Sequence, residues 1–221
     1  MLQRLPQNEL RNIVMTTMAG ITEHQRDEMA IPSYLHANPL IRWLMWRRYE
    51  KIADLAGFDK SMSVLEFGCG IGLFLPTLAE RCTKVYAMEL FPAYAQRIVE
   101  MLQLQVEFIQ NLTAISDASL DCIIAADVLE HLEDPAHYLE QFLNKLKPGG
   151  TLIVSGPTEN IAYRIGRLIA GFGDKGEYHH TNIDLLVPVI ESSGFESVRC
   201  VRLPFGFPPV LFKVCSFKRP G

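Results

Sequence analysis

The feature that most constrains this chain is a regular alternation, from about residue 60 onward, of apolar runs with stretches suited to helices. The predicted strands are SVLEFG, KVYAMEL, VEFIQ, LDCIIAAD and TLIVSGP. Such alternation is typical of βαβ units and of a parallel sheet. LDCIIAA and TLIVS are nearly continuous apolar runs, as expected of central strands that are covered on both faces. The sequence therefore predicts a doubly wound, Rossmann-like α/β domain.

The end of the chain has a different pattern. FESVRCVRLP and PVLFKVCSFK are separated by only a short, turn-rich stretch at residues 205–209, which leaves no room for a crossover helix. This spacing predicts a closing antiparallel hairpin. The long stretch before the hairpin exceeds what one crossover helix requires, so we expect a helical lid insertion around residues 157–182. Residues 1–59 are interpreted as a helical N-terminal extension packed on the main domain at residues 60–221.

Composition excludes several functions. The net charge is -4 and the pI is about 5.9, so the chain lacks the basic footprint of a nucleic-acid binder. Five scattered cysteines without a C-x-x-C pair argue against a disulfide framework or a zinc knuckle. The first residues show no signal-peptide pattern, and no apolar run reaches the roughly 18 residues needed to span a bilayer. We therefore expect a cytoplasmic protein without stable membrane insertion, either a monomer or a homodimer.

A glycine-rich loop follows the first predicted strand, in the stretch VLEFGCGIG at residues 64–72. A dinucleotide fingerprint would need a further glycine where Leu73 or Leu75 stands, and no P-loop string occurs. What remains is E-x-G-x-G-x-G beginning at Glu66, with Glu89 at the end of the next strand. A carboxylate at that point can accept both hydroxyls of a ribose.

Three further motifs occur in order: the fourth strand at residues 121–126, DVLEHL at 127–132 and LKPGG at 146–150. Together with the glycine loop they resemble the class I S-adenosylmethionine-dependent methyltransferases. The resemblance implies a seven-stranded sheet of order 3-2-1-4-5-7-6 with the last strand antiparallel. It also implies S-adenosyl-L-methionine as cofactor and S-adenosyl-L-homocysteine as product.

The resemblance also implies a set of cofactor-binding residues: Glu66, Gly68, Cys69, Gly70, Glu89, Leu90, Asn111 and Asp127. Glu66 and the glycine loop would line the amino acid part of the cofactor. Glu89 would hold the ribose, and Leu90 would pack on the adenine. Asn111 departs from the Asp that the family often has near the exocyclic amine of adenine, but an Asn carbonyl can also accept from that amine.

Asp127, Glu130 and His131 form a D-x-x-E-H pattern after the fourth strand. It is similar to the E-x-x-E-H of ubiquinone-pathway O-methyltransferases and small-RNA 2'-O-methyltransferases, where the motif contributes to a metal site. Here the first Glu is an Asp. The alternative is that Glu130 and His131 fix the turn into the next helix. We favour the turn, so a divalent metal is not favoured and no metal ligands are predicted.

Histidines are the candidate catalytic residues. A sulfonium methyl is already activated, so the protein must align the acceptor and, where a proton leaves, supply a base. His179 and His180 lie in the inserted segment, with His180 preferred, and His131 is the third candidate. A histidine pKa lies near working pH, which suits this role. Each of them is alternatively a surface or capping residue.

The stretch from Ile161 to Phe172 is amphipathic, with Arg164 and Arg167 one turn apart. With the aromatic, basic helix around Trp43 and Trp46, it is interpreted as a lid over the acceptor, and peripheral membrane contact is the alternative. The sequence as a whole predicts a methyltransferase that acts on a small molecule, with oxygen favoured. The alternatives are a non-catalytic cofactor-binding or scaffold domain and a nicotinamide-dependent oxidoreductase.

Overall fold

The computed structural model describes residues 1–18, 20–22, 25–26, 29–171 and 181–221, the side chain of residue 169 excepted. Its helices are α1 (Gln7–Thr16), α2 (Ile31–Tyr34), α3 (Pro39–Ala56), α4 (Leu75–Arg81), α5 (Ala93–Met101), α6 (Pro135–Lys145), α7 (Ile161–Ile169) and α8 (Ile183–Ser192). Its strands are β1 (Ser63–Phe67), β2 (Lys84–Met88), β3 (Glu107–Ile109), β4 (Leu120–Ala126), β5 (Leu146–Pro157), β6 (Glu196–Leu203) and β7 (Phe212–Lys218).

The strands form one seven-stranded sheet of order β3-β2-β1-β4-β5-β7-β6. The first five strands pair in parallel, whereas β7 runs antiparallel to both of its neighbours. This arrangement confirms the predicted fold class and the closing hairpin. The strand order reverses between β1 and β4, and open α/β sheets bind ligands in the crevice beyond the carboxyl ends of their strands at such a point.

The central strands are apolar throughout because both faces of the sheet are covered. Leu65 and Ile123 face one layer, where they join the core that includes Phe142 of α6. Val64 and Ile124 face the opposite layer, where they pack with Ile52 and other residues of the helices on that side. Successive side chains of a strand point to opposite faces, so each strand supplies both cores.

Strand β5 begins earlier than the sequence suggested. The LKPGG motif was expected to precede the strand, but Leu146 already pairs with Leu120, before a register shift that leads to the regular pairing at Thr151. The motif therefore forms the first part of β5.

The cysteines require a correction. A disulfide was not expected from their scattered positions, yet Cys200 and Cys215 form one. The pairing of β6 with β7 places these two residues directly opposite each other, which their spacing along the chain does not reveal. Cys69, Cys82 and Cys122 are free and buried. The cysteine pattern therefore no longer argues for a reducing compartment.

The N-terminal helices pack on the glycine loop and on α5. Leu10 of α1, Tyr34 of α2 and Trp46 of α3 share a core with Ile71 and Ile98. The Asn38 side chain caps α3 by accepting from the Leu40 N–H, and α3 ends where the next residue adopts a left-handed conformation. The division of the chain at residue 59 stays a prediction.

Among the helices of the described residues, none is both long enough and apolar enough to cross a membrane.

Candidate active site

The glycine loop turns sharply out of β1. Gly68, Gly70 and Gly72 have φ values of 70°, 54° and 80°, a region that favours glycine. The loop is tied to the next strand because the N–H groups of Gly68 and Cys69 donate to the Met88 carbonyl at 2.9 and 3.1 Å. A Cβ on Gly68 would lie 2.5 Å from a methyl carbon of Val128. Glycine is therefore favoured at position 68 for two reasons: the positive φ and the lack of space for a side chain beside Val128.

Glu89 joins this loop to the end of β2. Its Oε2 accepts from the Gly70 N–H at 2.8 Å, and its Oε1 accepts from the N–H groups of Leu90 at 2.8 Å and Phe91 at 3.2 Å. Three main-chain donors thus fix one half-buried carboxylate at the carboxyl edge of the sheet. Leu90 is 85% exposed directly beside it.

Glu66 lies beneath the loop and is only 1% exposed. Its Oε2 has no hydrogen-bond partner. Burial raises the pKa of this carboxyl well above its ordinary value, and the negative charge of Glu89 raises it further. Buried polar groups are nearly always paired in folded proteins, so an unpaired carboxyl beside a glycine loop fits a cationic group of a ligand. Burial likewise raises the pKa of the Cys69 thiol, which makes it a poor nucleophile.

Asn111 uses its side chain locally. Its Oδ1 accepts from the Thr113 N–H at 3.1 Å and caps a short 3-10 turn at Leu112–Ala114. The Thr113 hydroxyl also donates to this oxygen, so both of its lone pairs are engaged and a ligand amine would have to displace one of these donors.

Asp127 is paired with an arginine that the sequence analysis did not select. It follows β4 with φ 55°, its Oδ1 accepts from the Ser155 hydroxyl at 2.9 Å, and its Oδ2 forms an ion pair with Arg48. Arg48 is 5% exposed, and its guanidinium lies 4.7 Å from the centre of the Phe212 ring. Asp127, predicted as a cofactor ligand, thus meets a cation supplied by α3.

A cavity of about 800 Å³ lies next to this ion pair. Its walls come from α3, from α7 and from the connection between β6 and β7, and they are mainly apolar or aromatic. Asp127, Glu130 and His131 line it at the edge of the sheet. The cavity is also lined by four aromatic side chains and one arginine: Trp43, Tyr163, Phe205, Phe212 and Arg48.

Glu130 is the most unusual group in the cavity. It is 0% exposed, and neither of its carboxyl oxygens has a hydrogen-bond partner. Burial raises its pKa to about 8, although its own backbone N–H and the positive charge of Arg48 act in the opposite direction. The sequence pattern suggested only a turn residue or a metal ligand at this position. The apolar neighbours of Glu130 in Val-Leu-Glu-His-Leu are compatible with its burial.

Of the three histidines predicted as catalytic candidates, the structure describes one. His131 lines the same cavity and is half-buried, whereas His179 and His180 lie outside the described residues. Within the part of the chain that the structure describes, no three His, Cys, Asp or Glu side chains cluster so as to hold a metal ion. The prediction of no metal ligands stays a prediction. Asp134 caps α6 by accepting from the His137 N–H.

The strand order, the glycine loop and the carboxylate at the end of β2 define the class I methyltransferase type of Rossmann-like fold. Residues 40–193 match the family described as "Methyltransferase domain". This match covers more than half of the chain, and the chain belongs to this family. The resemblance to S-adenosylmethionine-dependent methyltransferases stated from the sequence is confirmed.

One similar relative is the ubiquinone biosynthesis O-methyltransferase of Xylella fastidiosa (strain M23), with 34% identity over 106 residues. The match covers 45% of this chain and 43% of the relative, so the chain spans less than half of the relative's length.

Two solved structures share the fold. The N-methyltransferase NodS from Bradyrhizobium japonicum WM9, in complex with S-adenosyl-L-homocysteine, has a TM-score of 0.66 and 21% identity over 89% of this chain and 97% of its own. Magnesium protoporphyrin IX methyltransferase from Synechocystis PCC 6803 has a TM-score of 0.63 and 17% identity, over 83% and 89% of the two chains.

Replacing Gly68 with Ala tests the loop. We expect the free energy of unfolding to fall by more than about 1 to 2 kcal/mol, the ordinary cost of a left-handed non-glycine residue, because the Val128 contact adds to it. Gly57→Ala is the matched control, since Gly57 has φ 60° but open space around its Cβ position. Denaturant unfolding of both variants gives the comparison. Equal losses would show that the Val128 contact contributes nothing.

The raised pKa of Glu130 predicts that the difference in unfolding free energy between wild type and Glu130→Gln depends on pH. Because the folded pKa of about 8 exceeds the ordinary 4.5, the folded state keeps this proton and wild-type stability falls as pH rises between those values. Glu130→Gln has no such group, so its stability relative to wild type should increase from pH 5 to pH 8, by up to about 1.4 kcal/mol per pH unit.

Thermal and denaturant unfolding across this pH range measures the difference. Glu133→Gln is the control, because Glu133 lies three residues away and is exposed, and its difference from wild type should stay constant. A Glu130→Gln difference that is independent of pH would show that Glu130 titrates as an ordinary exposed carboxyl does.

Proposed function

We propose that the chain transfers the methyl group of S-adenosyl-L-methionine to an oxygen of a small-molecule acceptor. The observation that carries the cofactor assignment is the attachment of Glu89 to the Gly70 N–H, which makes the glycine loop and the end of β2 a single rigid cradle. An ionised carboxylate has about four lone-pair sites, and the three main-chain donors leave one of them, on Oε2, free to accept a ribose hydroxyl.

The residues of the cradle fit the rest of the cofactor. The unpaired, buried Oε2 of Glu66 would accept from the ammonium of the methionine part, with Gly68, Cys69 and Gly70 forming the wall beside it. The exposed side chain of Leu90 would cover the adenine. Asn111 would accept from the exocyclic amine of adenine in place of the hydrogen bond that the Thr113 hydroxyl donates to it. Asp127, held by Arg48, would face the junction of cofactor and acceptor.

The bound cofactor supplies an electrophilic methyl group. The contribution of the chain is to place an acceptor oxygen in line with that group and to exclude water, and alignment of this kind is worth up to about 7 to 11 kcal/mol. The cavity beside Asp127, walled by α3 and α7, is the space in which an acceptor would be aligned.

The choice of oxygen rests on relatives rather than on geometry. The Xylella relative is named as an O-methyltransferase, whereas the structurally similar NodS is named as an N-methyltransferase. A small-molecule acceptor fits the mainly apolar cavity. The cytoplasmic location and the monomeric or homodimeric state stay predictions.

Calorimetric titration with S-adenosyl-L-homocysteine tests the proposal. We expect binding by the wild-type protein, and an affinity at least about tenfold lower for Glu89→Gln. The single acceptor oxygen of an amide cannot serve the three main-chain donors and a ribose hydroxyl together, and the negative charge is lost. Glu107→Gln, an exposed carboxylate on the neighbouring strand, should bind as wild type does. Absence of heat with S-adenosyl-L-homocysteine, or binding of NADH in its place, would contradict the proposal.

Transfer itself is measured with methyl-labelled S-adenosyl-L-methionine and a panel of hydroxyl and amine acceptors. Label recovered on oxygen supports the full proposal, and label on nitrogen corrects the acceptor atom. Cofactor binding without transfer to any acceptor of the panel would favour the non-catalytic alternative.

A further inference from the structure

We propose that Glu130 is a catalytic residue that binds the acceptor's O–H group and takes its proton, so that the cavity selects ring-bearing, apolar acceptors with a phenol-type hydroxyl. The proposal rests on the proposed function and names the substrate class of the same site. From the sequence this role was assigned to a histidine, with His180 preferred and His179 and His131 as further candidates, and we propose Glu130 in its place.

The first argument is the state of the carboxyl group. A residue that is 0% exposed with both carboxyl oxygens unpaired has lost its hydration without a protein partner in return. Leaving such a group unpaired costs about 1 to 3 kcal/mol or more. Because Glu130 lines the cavity, a donor carried by a ligand can supply the missing partner.

The charges that face Glu130 come from several elements. Arg48 of α3 stabilises the carboxylate form, and Glu159, which follows β5, opposes it. Burial raises the pKa of Tyr163 in α7 to about 12, and the negative charges of Glu159 and Glu130 add to this effect. Asp127, His131 and Arg167 share the cavity, and Arg48 compensates Asp127.

The aromatic walls of the cavity favour an acceptor that carries a flat, apolar ring. Trp43 and Phe205 lie together with ring centres 6.1 Å apart, and the Phe212 ring carries Arg48 on its face. Flat rings bury large apolar areas and prefer aromatic partners. An apolar pocket discriminates poorly between isosteric ligands, whereas one that pairs a substrate hydroxyl rejects the analogue that lacks it. Glu130 provides that discrimination.

Methyl transfer to the acceptor oxygen conserves atoms and electrons. The acceptor oxygen donates an electron pair to the methyl carbon, and a C–O bond forms. The C–S bond breaks, and its electron pair returns to sulfur, which becomes a neutral thioether. The O–H proton passes to the Glu130 carboxylate and leaves to solvent after product release.

The first experiment uses two probes of matched shape, 4-hydroxybiphenyl and 4-methylbiphenyl, titrated into wild-type protein in the presence of S-adenosyl-L-homocysteine. We expect the phenol to bind about tenfold more tightly, the equivalent of one satisfied hydrogen bond. Glu130→Leu should reverse the preference, and Glu133→Gln should keep it. Equal affinities in wild type, or a phenol preference that survives in Glu130→Leu, would overturn the proposal.

The second experiment measures methyl transfer to 4-hydroxybiphenyl. For Glu130→Gln we expect kcat to fall by about 10²-fold or more with a smaller change in KM, since a general base contributes about 10²- to 10⁴-fold. The wild-type kcat/KM should rise with pH through about 8, where Glu130 ionises, and the variant should lose this rise.

Wild-type turnover by Glu130→Gln would overturn the proposal, as would failure of a wild-type protein that binds S-adenosyl-L-homocysteine to methylate the phenol. The failure of the proposed function looks different: the wild-type protein then binds no S-adenosyl-L-homocysteine at all, whatever its preference between the two probes. The stability profile of Glu130→Gln shows independently that the variant is folded.

Discussion

The buried ion pair between Arg48 and Asp127 ties the N-terminal part of the chain to the edge of the sheet. Arg48 belongs to α3, whereas Asp127 follows β4 and is itself held by the Ser155 hydroxyl of β5. The same guanidinium lies over the Phe212 ring of β7. Removing two charges from water is costly, and an arginine tolerates this best when its planar fork and flat face are both used. One wall of the cavity is thereby fixed in place.

The three glutamates of the site differ in their hydrogen bonding. Glu89 is held by main-chain donors, whereas Glu66 and Glu130 are buried with unpaired oxygens and raised pKa values. A fold selected for stability alone would replace or pair such groups, because each of them destabilises the folded state near neutral pH. Groups of this kind concentrate at functional sites. Their positions, one beneath the glycine loop and one in the cavity, divide the site into a cofactor half and an acceptor half.

The cofactor half could be predicted from the sequence because contiguous segments build it. Strand periodicity, glycines that need positive φ, and an acid at the end of the next strand are local signals, and each acts within one βαβ unit. The sheet order and the closing hairpin followed from the resemblance and from a loop too short for a crossover helix. The Cys200–Cys215 bond did not follow, because cross-strand register in the hairpin is not visible in residue spacing.

The acceptor half is different, because segments from distant parts of the chain meet there: α2, α3, residues 127–131, the end of β5, α7 and the connection between β6 and β7. The sequence of α3 shows Arg42, Arg47 and Arg48 among apolar residues, and no periodicity identifies Arg48 as the one that turns inward. Its burial depends on Asp127 and Phe212, which arrive from distant parts of the chain. The walls of the cavity determine which acceptor binds, and local sequence signals do not specify these walls. The charge and the hydrogen bonds of the buried groups therefore identify the chemistry of the acceptor better than any motif does.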